Sequence, residues 1–248
     1  MGKAFYLLVT GMFLVIHTLN AQDVINTDRP DQSDGTHNLR KGQLQIETGL
    51  QYSKLDEFTR GFDNQTLIRY GINKEFEIRL LNQYSVVRDS GSISGIQPLT
   101  VSFKNQLWKQ HGILPKVTLV SYFQLPVTIS KDFRGDHFGY SFVLAGRNEL
   151  SSKMKLYTNI GIKQDQQSTD ISYPTAVELN YGATDKLSAF IEYFGSYATH
   201  VNATNGMDVG CVYAIKNNFA IDIAVGSSTF KLATNRFISF GLSARFPK

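Results

Sequence analysis

The chain has 248 residues, of which 42% are hydrophobic and 12% aromatic, and its formal net charge is +4 at pH 7. That charge is too mild for a nucleic-acid surface or a polybasic membrane patch, and the single Cys211 excludes an intramolecular disulfide framework. Mean hydropathy is −0.18; a membrane barrel shares this soluble-looking value, because half of every barrel strand is polar.

Residues 1–21 read as a secretory signal peptide. Lys3 precedes an apolar run from Ala4 to Ile16, and Leu19-Asn20-Ala21 supplies a small residue at the expected cleavage point. The run falls short of the roughly 20 apolar residues of a membrane-spanning helix. No Cys stands at the junction to carry a lipid anchor. Removal of 1–21 takes away only Lys3 among the charges, leaving 24 basic against 21 acidic residues. Residues 22–41 carry few apolar side chains and read as an irregular arm, periplasmic or lumenal.

From residue 42 to residue 248 the pattern changes. In Gln43-Leu44-Gln45-Ile46-Glu47-Thr48-Gly49-Leu50-Gln51-Tyr52, the apolar Leu44, Ile46, Leu50 and Tyr52 share one face and Gln43, Gln45, Glu47 and Gln51 the other. Successive side chains of a strand point to opposite faces, so this is a strand with one apolar and one polar side. The same alternation predicts twelve strands, at 43–53, 64–71, 75–86, 97–108, 116–125, 138–150, 154–164, 174–182, 186–195, 205–214, 218–226 and 236–246. A length near ten suits a tilted membrane strand. Connections after the even strands are short (72–74, 109–115, 151–153, 183–185, 215–217), and those after the odd strands are longer (54–63, 87–96, 126–137, 165–173, 196–204, 227–235). Outer-membrane barrels have short periplasmic turns and longer outside loops, whereas a soluble sandwich has no reason to alternate this way. The fold expected is all-β, a transmembrane antiparallel up-and-down barrel of about twelve strands.

Three short turns share a pattern, at Tyr70-Gly71-Ile72-Asn73-Lys74, Tyr181-Gly182-Ala183-Thr184-Asp185 and Tyr213-Ala214-Ile215-Lys216-Asn217. Asn, Asp and Gly supply tight-turn geometry there. In the last strand Ile238, Phe240, Leu242, Ala244 and Phe246 alternate outward. This resembles the closing-strand signal read by barrel assembly machinery, with Pro247 and Lys248 as a departure. Cys211 shares an apolar face with Met207 and Val209 and reads as a small hydrophobe.

Taking the polar partner of each apolar face puts Glu47, Arg69, Glu77, Arg79, Lys104, Arg147, Glu149, Lys163, Glu178, Glu192, Asp208, Asp222 and Arg245 in the lumen. Seven acids against six bases suggest a paired network, since unpaired charge in a confined space is costly. Direct contact with a solute is the competing role for each of them.

Chemistry for catalysis is sparse. No Gly-x-Ser-x-Gly elbow, no phosphate-binding Gly-rich loop and no His/Cys/Glu cluster with metal-ligand spacing occurs. Beyond the leader the histidines are His37, His111, His137 and His200. Ser141 with His137 is the one pair that could imitate an outer-membrane lipid hydrolase, and the two share a face by parity only. No enzyme activity, no cofactor and no metal is expected.

The arm carries the most specific signal. Thr27-Asp28-Arg29-Pro30-Asp31-Gln32, followed by Lys41-Gly42-Gln43-Leu44-Gln45-Ile46-Glu47-Thr48-Gly49, resembles the opening of an outer-membrane barrel family labelled as transporters, or as components of the meta-pathway of phenol degradation. Leu114-Pro115 and Leu125-Pro126, which bracket the expected strand at 116–125, fit that family too. The resemblance spans nearly the whole chain beyond the leader. It implies a channel in a Gram-negative-type outer membrane for small solutes, with small aromatic or apolar compounds as cargo. The expected partners are outer-membrane lipid, the solute and the assembly machinery, with no nucleic acid. A non-conducting barrel with a structural or partner-binding role is the alternative, and a lipid hydrolase the third. Asp28 and Arg29 either tie the arm to the barrel base or enter the lumen and pair with wall charges such as Arg69, Arg79 or Glu47; Pro30 removes a donor, which suits a segment outside any ladder.

Overall fold

The computed structural model describes residues 23–127, 129–198, 203–230 and 233–246. The expected leader at 1–21, His200, Pro247 and Lys248 lie outside the described residues. The strands are β1 (Leu44–Lys54), β2 (Arg60–Gly71), β3 (Phe76–Arg88), β4 (Ser92–Ile96), β5 (Leu99–Trp108), β6 (Lys116–Leu125), β7 (Gly139–Glu149), β8 (Met154–Gln164), β9 (Ser172–Gly182), β10 (Leu187–Ala198), β11 (Thr204–Lys216), β12 (Phe219–Phe230) and β13 (Ala233–Phe246). Consecutive strands pair antiparallel except β4 with β5, which both pair β3, and β1 also pairs β13, so the sheet closes.

The wall has twelve positions, because β4 and β5 are two halves of one. Both pair with β3: Tyr84↔Ile96 to Arg88↔Ser92 for β4, and Phe76↔Asn105 to Leu81↔Thr100 for β5. Gln97 and Pro98 separate them, and a proline cannot donate to the ladder. The expected loop at 87–96 is therefore largely a hairpin. The same holds at 54–63, where β1 and β2 stay paired out to Lys54↔Arg60, and at 227–235, where β12 and β13 run on to Phe230↔Ala233. The contrast between long and short connections is thus weaker than the alternation implied. Polar sequence past the apolar band still satisfies its backbone by continuing the ladder.

The short turns follow one recipe. Asn73 Oδ1 accepts from the amides of Glu75 and Phe76, both at 2.8 Å. Ser151 Oγ and Thr184 Oγ1 accept from the amides two and three residues on in their own turns. A short side chain that caps its own turn explains the repeated sequence pattern.

Facing follows parity. Leu50, Tyr52, Ile78, Leu80, Val209, Ile223 and Phe240 are exposed on the outside, while Gln45, Glu47, Arg69, Glu77, Arg79 and Lys104 are buried inside. Outer aromatic rings also join strands: Phe76 of β3 stacks on Phe103 of β5 at 6.0 Å, Phe103 meets Phe123 of β6 at 6.1 Å, and Phe123 meets Phe142 of β7 edge-on at 5.8 Å. Apolar clusters inside are small; one gathers Ile25, Ala214 and Ala220 with Val24 and Val212, another Val120, Val143 and Ala145 with Tyr122.

Leu80 on the outside and Gln83 on the inside test this facing. Gln83 lies 3.0 Å from the Asp63 carboxylate, which can accept an added cation. An arginine facing lipid at the midplane costs about 2–4 kcal/mol. Leu80→Arg is expected to lower folding yield into liposomes, read by heat-modifiable gel mobility, well below that of Gln83→Arg; equal yields would reverse the face assignment.

Candidate functional site: the arm and the charged lumen

The arm turns into β1 at Gly42, whose φ of 78° is open to glycine without strain. Its amide donates to the Gly71 carbonyl at 2.7 Å. From there back to Asp23 the arm runs against inward-facing side chains.

Asp28 occupies the cationic side. Its carboxylate lies 2.8 Å from Arg79 Nη1, 2.7 Å from Lys104 Nζ and 3.4 Å from Arg69 Nη1. Burial works to raise the Asp28 pKa, but the Arg69, Lys104 and Arg79 charges outweigh it and hold the carboxyl well below the usual carboxylate range. Arg69 also meets Glu77 at 2.6 Å and Glu47 at 2.8 Å. Arg79 reaches Asp34 at 3.3 Å, bonds Ser102 Oγ, and lies with its guanidinium 5.0 Å from the centre of the Tyr122 ring. Tyr122 donates its hydroxyl to Asp34. All three cations of this side are paired.

Main-chain groups of the arm add further bonds to the wall. The amides of Asp28, Gln32 and Leu39 donate to Glu47 (2.9 Å), Glu192 (2.8 Å) and Glu77 (2.8 Å). Asp34 exchanges bonds with Asn159 through both its amide and its carbonyl. The His37 carbonyl accepts from Arg69 and Lys104. Burial, followed by the nearby Arg69 and Lys104 charges, pushes the His37 imidazole down to about 3, so it is neutral at physiological pH.

Arg29 points the other way, to Asp222 at 3.4 Å and Ser239 Oγ at 3.1 Å. A Cβ at Gly49 would run into this guanidinium, so the glycine in β1 makes room for it. Arg245 donates to the Asp23 carbonyl near the short-turn end.

The wall of β9, β10 and β11 is acidic. Glu178, Glu192 and Asp208 stand in one row across it, with Glu192 in register with both of the others. Ser33 donates to Glu178 at 3.2 Å.

Three charges from the expected lumen set, Arg147, Glu149 and Lys163, sit at the rims. Arg147 pairs with Glu149 at 2.6 Å, and Lys163 with Asp165 at 3.0 Å. The sequence alone did not single out Asp31, Asp34, Ser102, Tyr122 or Asn159. Tyr122 and Ser102 share the inward parity of Thr118 and Lys104 and could have been found that way. Ser141 faces inward and is buried, His137 is exposed in a loop, and no hydrogen bond joins them. Among the described residues no three His, Cys, Asp or Glu converge as metal ligands would.

Two cavities flank the arm. One of about 700 Å³ opens toward the short-turn end and is lined by Ile25, Asp31, Tyr157, Glu178, Phe190 and Val212 among others. One of about 320 Å³ lies toward the opposite end, lined by Gln51, Asp63, Gln65, Gln83 and Tyr122. Arg29, Pro30 and Asp31 line both.

A closed twelve-position barrel with a lipid-facing apolar skin and a charged, plugged bore has the architecture of an outer-membrane channel. The chain belongs to the family described as "Putative MetA-pathway of phenol degradation", whose model matches residues 27–246. Solved structures agree on the fold. The COG4313 outer membrane channel from Pseudomonas putida F1 is 13% identical and superposes with a TM-score of 0.70, over 88% of this chain and 100% of that one. The KdgM porin in complex with disordered oligogalacturonate is 12% identical, TM-score 0.58, over 82% and 99%. The CymD monoaromatic hydrocarbon channel is 9% identical, TM-score 0.50, over 85% and 89%. No curated protein matches the sequence.

Asp28 is the side chain on which the arm's seating turns. Removing one partner of a buried charge network costs about 3–5 kcal/mol. In Asp28→Ala, the amides of Gln32, Asp34 and Leu39 are expected to lose hydrogen-exchange protection while the strand amides keep theirs. Protection equal to the parent's would show that the arm is held without this charge.

Proposed function

We propose that the protein is a channel of a Gram-negative-type outer membrane that passes small solutes, with small aromatic or apolar compounds as its cargo. The observation that carries this reading is the pair of cavities on the two sides of a polar arm. A barrel of this strand number encloses more space than side chains alone can fill, and here a bonded segment occupies the middle and leaves room at both ends. The family's description and the words "monoaromatic hydrocarbon channel" in one neighbour's title support the cargo class. Asp28, Arg29 and the buried wall charges then form the constriction that a solute passes. Export by the segment 1–21, insertion by barrel assembly machinery and residence among outer-membrane lipids complete the proposal.

The density of bonds between arm and wall favours a second reading, a non-conducting barrel sealed by its own N-terminal segment. Single-channel recording in planar bilayers separates the two. Deleting residues 23–40 is expected to raise conductance and admit larger solutes. Conductance equal to the parent's, in a barrel shown by gel mobility to be folded, would leave the arm as a tether.

A further inference from the structure

The cavity of about 320 Å³, on the far side of the arm from the short turns, has the size of a small-molecule site. β1, β2 and β3 supply most of its wall, and Arg29, Pro30 and Asp34 of the arm line it from within. Charges of both signs surround it, Arg29 and Arg79 against Asp28, Asp34 and Asp63. The two arginines are already engaged, one with Asp222 and the other with Asp28 and Asp34. An ion of either sign would meet like charge here, and a neutral solute would not.

The polar part of this wall has a fixed sense. Gln83 Nε2 donates to the Asp63 carboxylate at 3.0 Å, and the Ser85 hydroxyl donates to the same oxygen. An ionised carboxylate only accepts, so the Gln83 amide turns its NH2 toward Asp63 and its oxygen away. That oxygen accepts from Gln65 Nε2 at 3.5 Å. The Gln65 oxygen is thereby left as an acceptor beside the cavity, and among the described residues no group donates to it. Tyr122 gives its own proton to Asp34, so its hydroxyl also meets the cavity as an acceptor. Both groups call for a hydrogen-bond donor from a solute.

Beside this relay the wall is apolar. Leu67 and Leu81 share the inward parity of Arg69 and Arg79, stand in register across β2 and β3, and line the same cavity as Pro30 of the arm. Leucines turned into the bore depart from the polar interior of such barrels, and an apolar face on a solute would cover them. A hydroxyl group on an apolar ring satisfies both halves of the wall. A plain hydrocarbon would cover the leucines but leave the Gln65 oxygen without a partner or water.

We propose that the 320 Å³ cavity is a binding station for small neutral ring compounds that carry a hydroxyl group, with Gln65 selecting for the O–H donor, Leu67 and Leu81 receiving the ring, and Asp63 acting through Gln83 as a positioning residue. The inference deepens the channel reading by requiring a hydroxyl on the solute, and rests on that reading only for the station's place on a path.

Calorimetric titration of the folded, full-length barrel in detergent with resorcinol tests it, against resorcinol dimethyl ether, which has the same ring but cannot donate. With the heat of titrating empty micelles subtracted, resorcinol is expected to bind saturably and about fivefold or more tighter than the ether, the scale of one neutral hydrogen bond. Gln65→Met keeps the side chain's length without its oxygen, and should weaken resorcinol by about the same factor while leaving the ether unchanged. Asp63→Asn frees both amides to turn over, and should bring the two ligands closer in affinity. Glu75→Gln, exposed in a short turn, should bind as the parent does. Absence of saturable binding by the folded parent, equal affinity for the ether, or resorcinol affinity and preference unchanged in both site variants would overturn the proposal. Bilayer recordings on the same preparations separate this result from the channel reading. Conduction without binding removes the station and keeps the channel, and binding without conduction does the reverse.

Discussion

The ladder between β1 and β13 joins the two ends of the described wall, from Leu44↔Phe246 to Lys54↔Arg236. In hydrocarbon an unpaired backbone amide or carbonyl has no water to turn to, so a sheet can cross only if it closes. Once it closes, parity leaves each side chain two choices, lipid or lumen. The apolar set takes the lipid, and the polar set is forced inward whether or not partners wait there. The buried charge of this protein follows from that requirement, because the outer face had to be Leu, Ile, Val and Phe.

The wall pairs Arg69 with its own Glu47 and Glu77, and the arm supplies the carboxylates that Arg79 and Lys104 lack. Asp28 and Arg29 are consecutive in the arm, and their side chains reach opposite sides of the bore. One meets the cationic cluster on β2, β3 and β5; the other meets Asp222 of β12 and Ser239 of β13. Two adjacent residues of opposite sign thereby tie the arm across the bore. Pro30 follows them and carries no amide hydrogen, so that position needs no acceptor.

Much of this was legible in the sequence, for reasons that differ by residue. Gln45, Glu47, Arg69 and Arg79 alternate with Leu44, Ile46, Ile68 and Leu80, and period two is a local property that no distant contact can hide. Asp28 and Arg29 stood out through the resemblance of their motif. The hairpin formed by the end of β3 with β4 was not legible, because Ser92 to Ile96 has loop-like composition and pairs only where the neighbouring strand overruns the membrane band. Nor was the service of Asp34 to Arg79 and Tyr122. Those groups come from three separate segments, and only closure of the ring brings them together. Arg147 and Lys163 shared the inward parity, but they lie near strand ends, where a neighbouring acid in the chain and access to water satisfy them locally.

The arm's bonds also divide by the kind of group that makes them. Those to Glu47, Glu192 and Glu77 use its main-chain amides as donors, and the contacts of His37 with Arg69 and Lys104 use its main-chain carbonyl as acceptor. Such bonds depend on the path of the chain and not on the identities of Gln32, His37 or Leu39. Asp28 is different, since only a carboxylate can face three cations at once, and the Arg29 guanidinium fits only because Gly49 has no side chain. Side-chain specificity in the plug is therefore concentrated in two adjacent residues, while the remaining contacts require a backbone threaded along this route. A segment held in this way depends on few of its own side chains beyond Asp28 and Arg29.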